Sequence, residues 1–367
     1  MRTRHASKAR PLVATVFGTR PQFIKLAVLW RELETQFRSV LIDSGQHYDW
    51  ELAGAVRKDT GLRPPDAHLG IRSGTPASQI GRVADALDSR LAKLNPNAVV
   101  VIGDTSTTSG GAIAAAYRGI PVAHVEAGLR SFDRSTPEEK NRVIADHLSA
   151  WRFCPTKSSI EHLHNEGLKA GSYGVGDLMY QHWLEQRRRS ESTVAQAGIE
   201  PQKYYYVTAH RAENVDSPDR LRSLIRILES LESPAIFPIH PRTLRNLKHL
   251  GYWDRLRRNR RIHLTTPLTY SASLSLVRGA KAVLTDSGGL QREAFWSGVP
   301  CLVLREVTEW PELLAAGGGA LVGLDPQKVV SALRRRWRRT PLDDRIFSRR
   351  HPAKAIVKRL MLDLNAQ

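Results

Sequence analysis

Three carboxylates, Asp104, Glu126 and Glu138, carry the most chemistry in this chain. The first two stand just beyond short apolar runs, in Val99-Val-Val-Ile-Gly-Asp-Thr105 and in His124-Val-Glu-Ala-Gly-Leu-Arg130; the third opens Pro137-Glu-Glu-Lys-Asn-Arg142. Such runs read as buried parallel strands, with Gly103 and Gly128 opening the turns that follow. An open α/β sheet binds ligands outside the carboxyl ends of its strands, which predicts that Asp104 and Glu126 project into one crevice from neighbouring strand ends. A single strand-end acid often only caps the next helix. Three acids interleaved with Arg130 and Arg142 suit proton transfer better, because clustered carboxylates push one another's pKa values apart until one holds a proton near neutral pH.

Two turns suit a diphosphate. Gly18-Thr-Arg-Pro-Gln-Phe-Ile-Lys25 closes a strand and opens a helix, whose N-terminal N–H groups favour an anion, and Arg20 and Lys25 add cations. In Thr285-Asp-Ser-Gly-Gly-Leu-Gln-Arg-Glu293, Ser287 offers a hydroxyl, Gly288 and Gly289 let backbone approach a ligand, and Glu293 lies one helical turn in, in reach of ribose hydroxyls. His210-Arg-Ala-Glu-Asn214 and His240-Pro-Arg242 place two histidines at neighbouring strand ends, with Arg211 beside His210 suited to developing phosphate charge. Gln46 and His47 follow a strand of the other half. The chain has no G-x-G-x-x-G, since Gly174-Val-Gly176 fails at its third position, and no tightly held NAD is expected.

Alternating strands and helices position these groups. Strands are expected at Leu12–Phe17, 39–43, Ala98–Ile102, 121–126, 204–208, 235–239, Ala282–Thr285 and 301–304. Helices are expected at 21–34, 50–58, Pro76–Leu94, 108–118, 217–232, 242–250, 288–297 and Pro352–Asn365. The pattern restarts after Gln186-Arg-Arg-Arg-Ser190, which divides the 367 residues into two doubly wound halves facing a cleft, 1–184 and 185–367, with the last helix able to pack back across the first.

The net charge of +19, from 55 Lys and Arg against 36 Asp and Glu, favours polyanionic partners. The runs Arg187–Arg189, Arg257–Arg261 and Arg334–Arg339 read as solvated helix faces, so nucleic acid is not expected as a partner. Cys154 and Cys301 stand far apart without a C-x-x-C, so neither a disulfide framework nor a metal site is expected and a reducing cytoplasm is the default. No apolar run approaches ~18 residues, so no membrane span is expected.

Together these motifs resemble the non-hydrolysing UDP-N-acetylglucosamine 2-epimerase family. The resemblance runs in order through Gly18–Pro21 with Lys25, Gly45–His47, Gly103–Thr105, His124–Arg130, Pro137–Glu139 with Asn141 and Arg142, His210 and Arg211 with Glu213 and Asn214, Asp286–Gly289 with Gln291 and Glu293, and Thr308 and Glu309. It implies a GT-B fold of two Rossmann-like domains, a UDP-sugar partner, a homodimer, no redox cofactor, and interconversion of UDP-N-acetylglucosamine and UDP-N-acetylmannosamine. By position it implies Asp104, Glu126 and Glu138 as acid/base carboxylates and His210 as the catalytic histidine. Arg20 and Lys25 match substrate-contacting cations, Ser287, Gly288, Gly289 and Glu293 match the UDP site, and Arg130, Arg211 and His240 join the substrate-binding set. Gln46, His47 and Glu213 are candidates for a second site.

The chemistry agrees. C2 of the sugar bears no adjacent carbonyl, so inversion there needs transient oxidation or elimination of UDP, and these residues suit elimination. Some departures point elsewhere in the family. Trp310 stands where many members have Arg, and Arg292 where they usually have Glu. Gly176-Asp-Leu-Met179 and Ala212 also depart, the latter from an arginine that regulated bacterial members use at an allosteric site. Pro21-Gln-Phe-Ile-Lys25, Gly176-Asp-Leu-Met179, His240-Pro-Arg-Thr243 and Glu309-Trp310 look closer to enzymes acting on UDP-2,3-diacetamido-glucuronate, which is the alternative substrate. A hydrolysing epimerase and a GT-B glycosyltransferase are more distant alternatives.

Overall fold

The structure is a computed structural model that describes residues 10–46, 61–186, 200–337 and 351–366. The helix expected at 50–58 and His47 lie outside the described residues. The chain divides into two compact units, Met1–His182 with Ile346–Gln367, and Trp183–Arg345. The division falls two residues before the sequence boundary at 184, because the Trp183 ring packs 6.1 Å from that of Trp296 in the second unit.

The first unit is built on a seven-stranded parallel sheet of order β3-β2-β1-β4-β5-β6-β7. Its strands are β1 (Leu12–Phe17), β2 (Arg38–Asp43), β3 (Ala67–His68), β4 (Ala98–Ile102), β5 (Val122–Val125), β6 (Trp151–Cys154) and β7 (Ser172–Gly174). β4 and β5 are buried along their whole length, as their unbroken apolar sequences require of strands covered on both faces. The helix Pro76–Leu94 turns Val83, Leu87 and Leu91 into a core shared with Val99, Val101 and Ala112. The C-terminal helix Pro352–Asn365 packs on the helix Arg20–Gln36, and its Asp363 accepts from Trp151 Nε1 at 2.6 Å.

The second unit repeats the plan with six parallel strands in the order β10-β9-β8-β11-β12-β13. They are β8 (Tyr205–Thr208), β9 (Ala235–Pro238), β10 (Ile262–Thr265), β11 (Ala282–Thr285), β12 (Cys301–Val303) and β13 (Gly319–Leu321). The helix Pro218–Ser230, started by Ser217 accepting from Arg220 N, packs Leu221, Leu224, Ile225 and Leu228 against this sheet. In each unit the order reverses direction beside the central strand, so β1 and β4, and likewise β8 and β11, flank a topological switch point.

Candidate active site

Strand register brings the first unit's acids together. Ile102 pairs with Val125, and Gly103 N donates to Val125 O at 2.9 Å, so the turns bearing Asp104 and Glu126 leave the sheet side by side. Gly103 turns with φ +70°. Glu126 adopts φ +70° as well, a left-handed conformation that costs a non-glycine residue roughly 1–3 kcal/mol and is found where surrounding structure enforces it. Gly128 could not be another residue: its φ is +75° and a Cβ would lie 2.2 Å from Ser159 O.

Each acid at these two strand ends has its own cation. Lys25 Nζ bonds Glu126 Oε2, and Arg142 Nη2 bonds Asp104 Oδ2. Lys25, expected to join Arg20 in an anion site, therefore sits on a carboxylate. Arg20 begins its helix, but its side chain lies outside the described residues. Of these two cations, Arg142 is interleaved with the acids in the sequence, whereas Lys25 comes to Glu126 from the turn after β1. Asn141 Nδ2 donates to Asp104 O at 2.9 Å and is itself held by Ser109 Oγ at 2.7 Å.

Glu138 and Glu139 part company at the start of the helix Pro137–Leu148. Glu139 is buried, accepting from Ser131 N and Oγ, Phe132 N and Arg142 Nη1, which fits it to hold the preceding loop. Glu138 is half-buried in the same first turn. Arg130, by contrast, is enclosed: it donates to Asp146 Oδ2 and to both oxygens of Glu166, each at 2.7 Å, and to its neighbour's carbonyl, Leu129 O, at 2.8 Å. With a side chain 1% exposed, it braces the turn beneath the site.

Gln22 was missed in the sequence. Its Oε1 accepts from Gly18 N and Thr19 N, and its Nε2 donates to Ile102 O at 2.7 Å, tying the turn after β1 to the turn after β4. The signal was a Thr followed three residues later by Gln at a helix start. Gln46 Oε1 accepts from Thr107 Oγ1 at 2.9 Å and belongs to the first unit's own packing.

In the second unit Asp286, present in the sequence motif but given no role there, is the organising residue. Fully buried, it accepts from His210 N, Arg211 N and Asn214 Nδ2, and His210 Nδ1 lies 3.4 Å from its Oδ1. Arg211 Nε donates to Asp286 O at 3.1 Å, and its Nη2 lies 3.7 Å from Glu309. His240 caps the helix Pro241–His249 by accepting from Arg242 N on Nδ1, so its neutral ring carries the proton on Nε2; its centroid is 5.4 Å from that of His210. Glu213 is exposed, 3.5 Å from Arg305 Nε, and buried Arg305 donates to Glu309 at 2.8 Å.

The helix Gly288–Trp296 starts without a side-chain cap on its first turn, leaving an electropositive helix end at Ser287, Gly288 and Gly289. A Cβ on Gly288 would lie 3.5 Å from Trp310 Nε1, which places the indole N–H beside this turn. Glu293 is buried one turn further in. Two of the departures from the family pattern are neighbours: the Arg292 guanidinium lies 4.2 Å from the centre of the Trp310 ring. A positive charge stays at this place, carried by a different residue. Among the described residues no three His, Cys, Asp or Glu side chains gather as a metal set. Cys154 and Cys301 are buried, and burial pushes the Cys154 thiol up to about 12, so it stays protonated.

Two Rossmann-like domains of the same strand order, one presenting acids and the other an uncapped helix end, define a protein of the GT-B class. Residues 31–360 match the family described as UDP-N-acetylglucosamine 2-epimerase, and the chain belongs to it. It is 38% identical over 332 residues to the UDP-N-acetylglucosamine 2-epimerase of Methanocaldococcus jannaschii, covering 88% of this chain and 91% of that one. It is 36% identical over 340 residues to the UDP-2,3-diacetamido-2,3-dideoxy-D-glucuronate 2-epimerase of Pseudomonas aeruginosa, covering 90% and 94%. The solved M. jannaschii UDP-GlcNAc 2-epimerase in complex with UDP-GlcNAc and UDP superposes with a TM-score of 0.90 at 36% identity, over 96% of this chain and 99% of that one.

Proposed function

We propose that this protein is a non-hydrolysing 2-epimerase, a cytoplasmic homodimer that interconverts UDP-N-acetylglucosamine and UDP-N-acetylmannosamine. The observation that carries the reading is the pair of acids at adjacent strand ends, each held by its own cation in one turn-bound cluster. Among the described residues no helix is long and apolar enough to cross a membrane.

In the proposed reaction one carboxylate removes the C2 proton, a double bond forms between C1 and C2, and UDP departs from C1 with the bonding electrons. A second carboxylate then delivers a proton to the opposite face of C2, and a UDP oxygen re-forms the bond to C1. Asp104, Glu126 and half-buried Glu138 are the groups offered for these transfers. The second unit takes the diphosphate: the first turn of the helix Gly288–Trp296, with Ser287 and the Trp310 N–H, meets its charge, and Glu293 the ribose. His210, oriented by Asp286, and Arg211 stabilise UDP as it leaves, with His240 beside them. Lys25 pairs with Glu126, and Arg130 holds the turn from which Glu126 projects.

The 36% identity to the Pseudomonas enzyme favours a second reading, in which the sugar is the diacetamido uronate. Incubation with each UDP-sugar, followed by anion-exchange chromatography, tests both. The proposal predicts the UDP-linked manno epimer from UDP-N-acetylglucosamine with no free sugar. Turnover of the uronate alone selects the second reading, and inactivity on both refutes the proposal. Sedimentation velocity tests the dimer.

A further inference from the structure

We infer that Arg220 is a positioning residue for His210 and Arg211: it fixes the buried amide of Asn214, and that amide fixes the Asp286 side chain on which the turn after β8 hangs. The inference rests on reading His210 and Arg211 as the groups that meet the departing UDP.

Hydrogen-bond direction carries the argument. Asn214 is fully buried. Its Oδ1 accepts from Arg220 Nη2 at 2.9 Å and from Arg220 Nε at 3.3 Å, while its Nδ2 donates to Leu304 O at 2.9 Å and to Asp286 Oδ2 at 3.1 Å. Both amide hydrogens and both lone pairs are thereby used. A guanidinium only donates and a backbone carbonyl only accepts, so the neighbours at the two ends allow one orientation of the amide. Turned over, it would set N–H against N–H at Arg220 and oxygen against oxygen at Leu304, away from water that could relieve either.

The placement gives that amide its function. Asn214 lies in the helical turn Ala212–Val215 that follows β8, Asp286 follows β11, Leu304 follows β12, and Arg220 stands in the first turn of the helix Pro218–Ser230. One side chain therefore registers three strand ends. Asp286 Oδ2, which takes the amide hydrogen, also accepts from His210 N and Arg211 N, each at 2.9 Å, and Oδ1 lies 3.4 Å from His210 Nδ1. Whatever turns the Asn214 amide turns the acceptor on which both backbone groups depend.

Arg220 is the outermost member of this chain of bonds. Its side chain is 36% exposed, with Glu306 Oε1 4.0 Å from Nη2, and it lines an open cavity of about 350 Å³. A partly exposed residue tolerates substitution, and the planar fork explains its type: Nε and Nη2 converge on one oxygen, where a lysine ammonium would offer a single flexible bond.

Steady-state kinetics and amide hydrogen exchange of the full-length protein test the inference together. In Arg220→Met, which keeps the stem and loses every donor, kcat is expected to fall on the order of tenfold through misplacement of His210. KM should stay within about threefold, because the helix end at Ser287 and the Glu293 carboxyl are untouched. Arg220→Lys restores one donor and should recover about a third of wild-type kcat. Unchanged kcat in Arg220→Met, a loss confined to KM, or a lysine variant no better than the methionine one overturns the inference. Exchange of the His210 and Arg211 amides should quicken at least about tenfold in Arg220→Met, as their shared acceptor loosens, with the amides of β4 unmoved. Unaltered exchange at both amides overturns it as well. The exchange reads this relay whether or not either UDP-sugar turns over, so an inactive wild type refutes the proposed reaction, and an active wild type with an unaffected Arg220→Met refutes this inference alone.

Discussion

The two units put one strand order to opposite uses. Beyond β4 and β5 the candidate groups are charged residues in pairs, Lys25 with Glu126 and Arg142 with Asp104, braced from below by the His124–Asp146–Arg130–Glu166 network. Beyond β11 the first turn of the following helix offers backbone N–H groups and a hydroxyl, and buried Asp286 holds the neighbouring turn in shape. Proton transfer needs groups whose charge changes, so it needs counter-charges that fix where the proton sits. A diphosphate brings its own charge, and a helix end meets it without any titrating group. The comparison teaches that a strand-end turn is specialised by what surrounds its acid rather than by the acid alone.

Five substitutions break or sharpen this contrast. The largest effect is expected from Glu126→Gln, which removes a titrating group from the first unit: turnover should fall by roughly 1000-fold, within the range for loss of a general acid or base, while calorimetric UDP affinity stays unchanged. Gly289→Asp does the converse. A Cβ there would meet Ser287 Oγ at an ordinary 3.8 Å, so the fold tolerates it. The new carboxylate opposes the diphosphate at a cost of several kcal/mol, and UDP affinity should drop roughly 100-fold with the first unit's groups untouched.

Smaller effects are expected from the Arg292 and Trp310 pair. Arg292→Glu loses a stacked cation worth about 0.5–2 kcal/mol, and thermal denaturation should show it destabilised. Adding Trp310→Arg, which returns both positions to the commoner family residues, should recover part of that loss, giving a non-additive double-mutant cycle. The smallest effect is acid lability of the first unit. Asp146 has its carboxyl held low by His124 and Arg130, with burial opposing them. A lowered carboxyl contributes stability that is present above the unfolded value of about 3.9 and lost as pH falls through the folded one. Urea unfolding between pH 5 and pH 2 should therefore show a steeper loss in wild type than in Asp146→Asn.

Much of this was legible in the sequence. The apolar runs of β1, β4, β5, β8 and β11 announced themselves because central parallel strands are buried on both faces. β7, β10 and β13 did not: Ser172–Gly174 and Gly319–Leu321 have three residues each and half-buried patterns, and Ile262–Thr265 is an edge strand with exposed His263. Among the site residues, Asp104 and Glu126 were visible from their place after glycine-opened strand ends. Their partners were not, because Lys25 lies 101 positions from Glu126 and Arg142 38 from Asp104, and only the fold decides which cation meets which acid. Arg130 is the reverse case. Its motif position suggests substrate contact, and the fold adds bonds to Asp146, Glu166 and a carbonyl that the sequence does not show.

The central claim is that the first unit's carboxylates move the proton at C2 while UDP leaves and returns. It is tested most directly by proton NMR of the wild-type protein, Asp104→Asn and Glu126→Gln with UDP-N-acetylglucosamine in deuterated water. The account predicts deuterium at C2 of UDP-linked sugar with the wild type, and loss of that exchange with UDP binding retained in both variants. Epimer formed without deuterium at C2, or wild-type exchange in both variants, would contradict it.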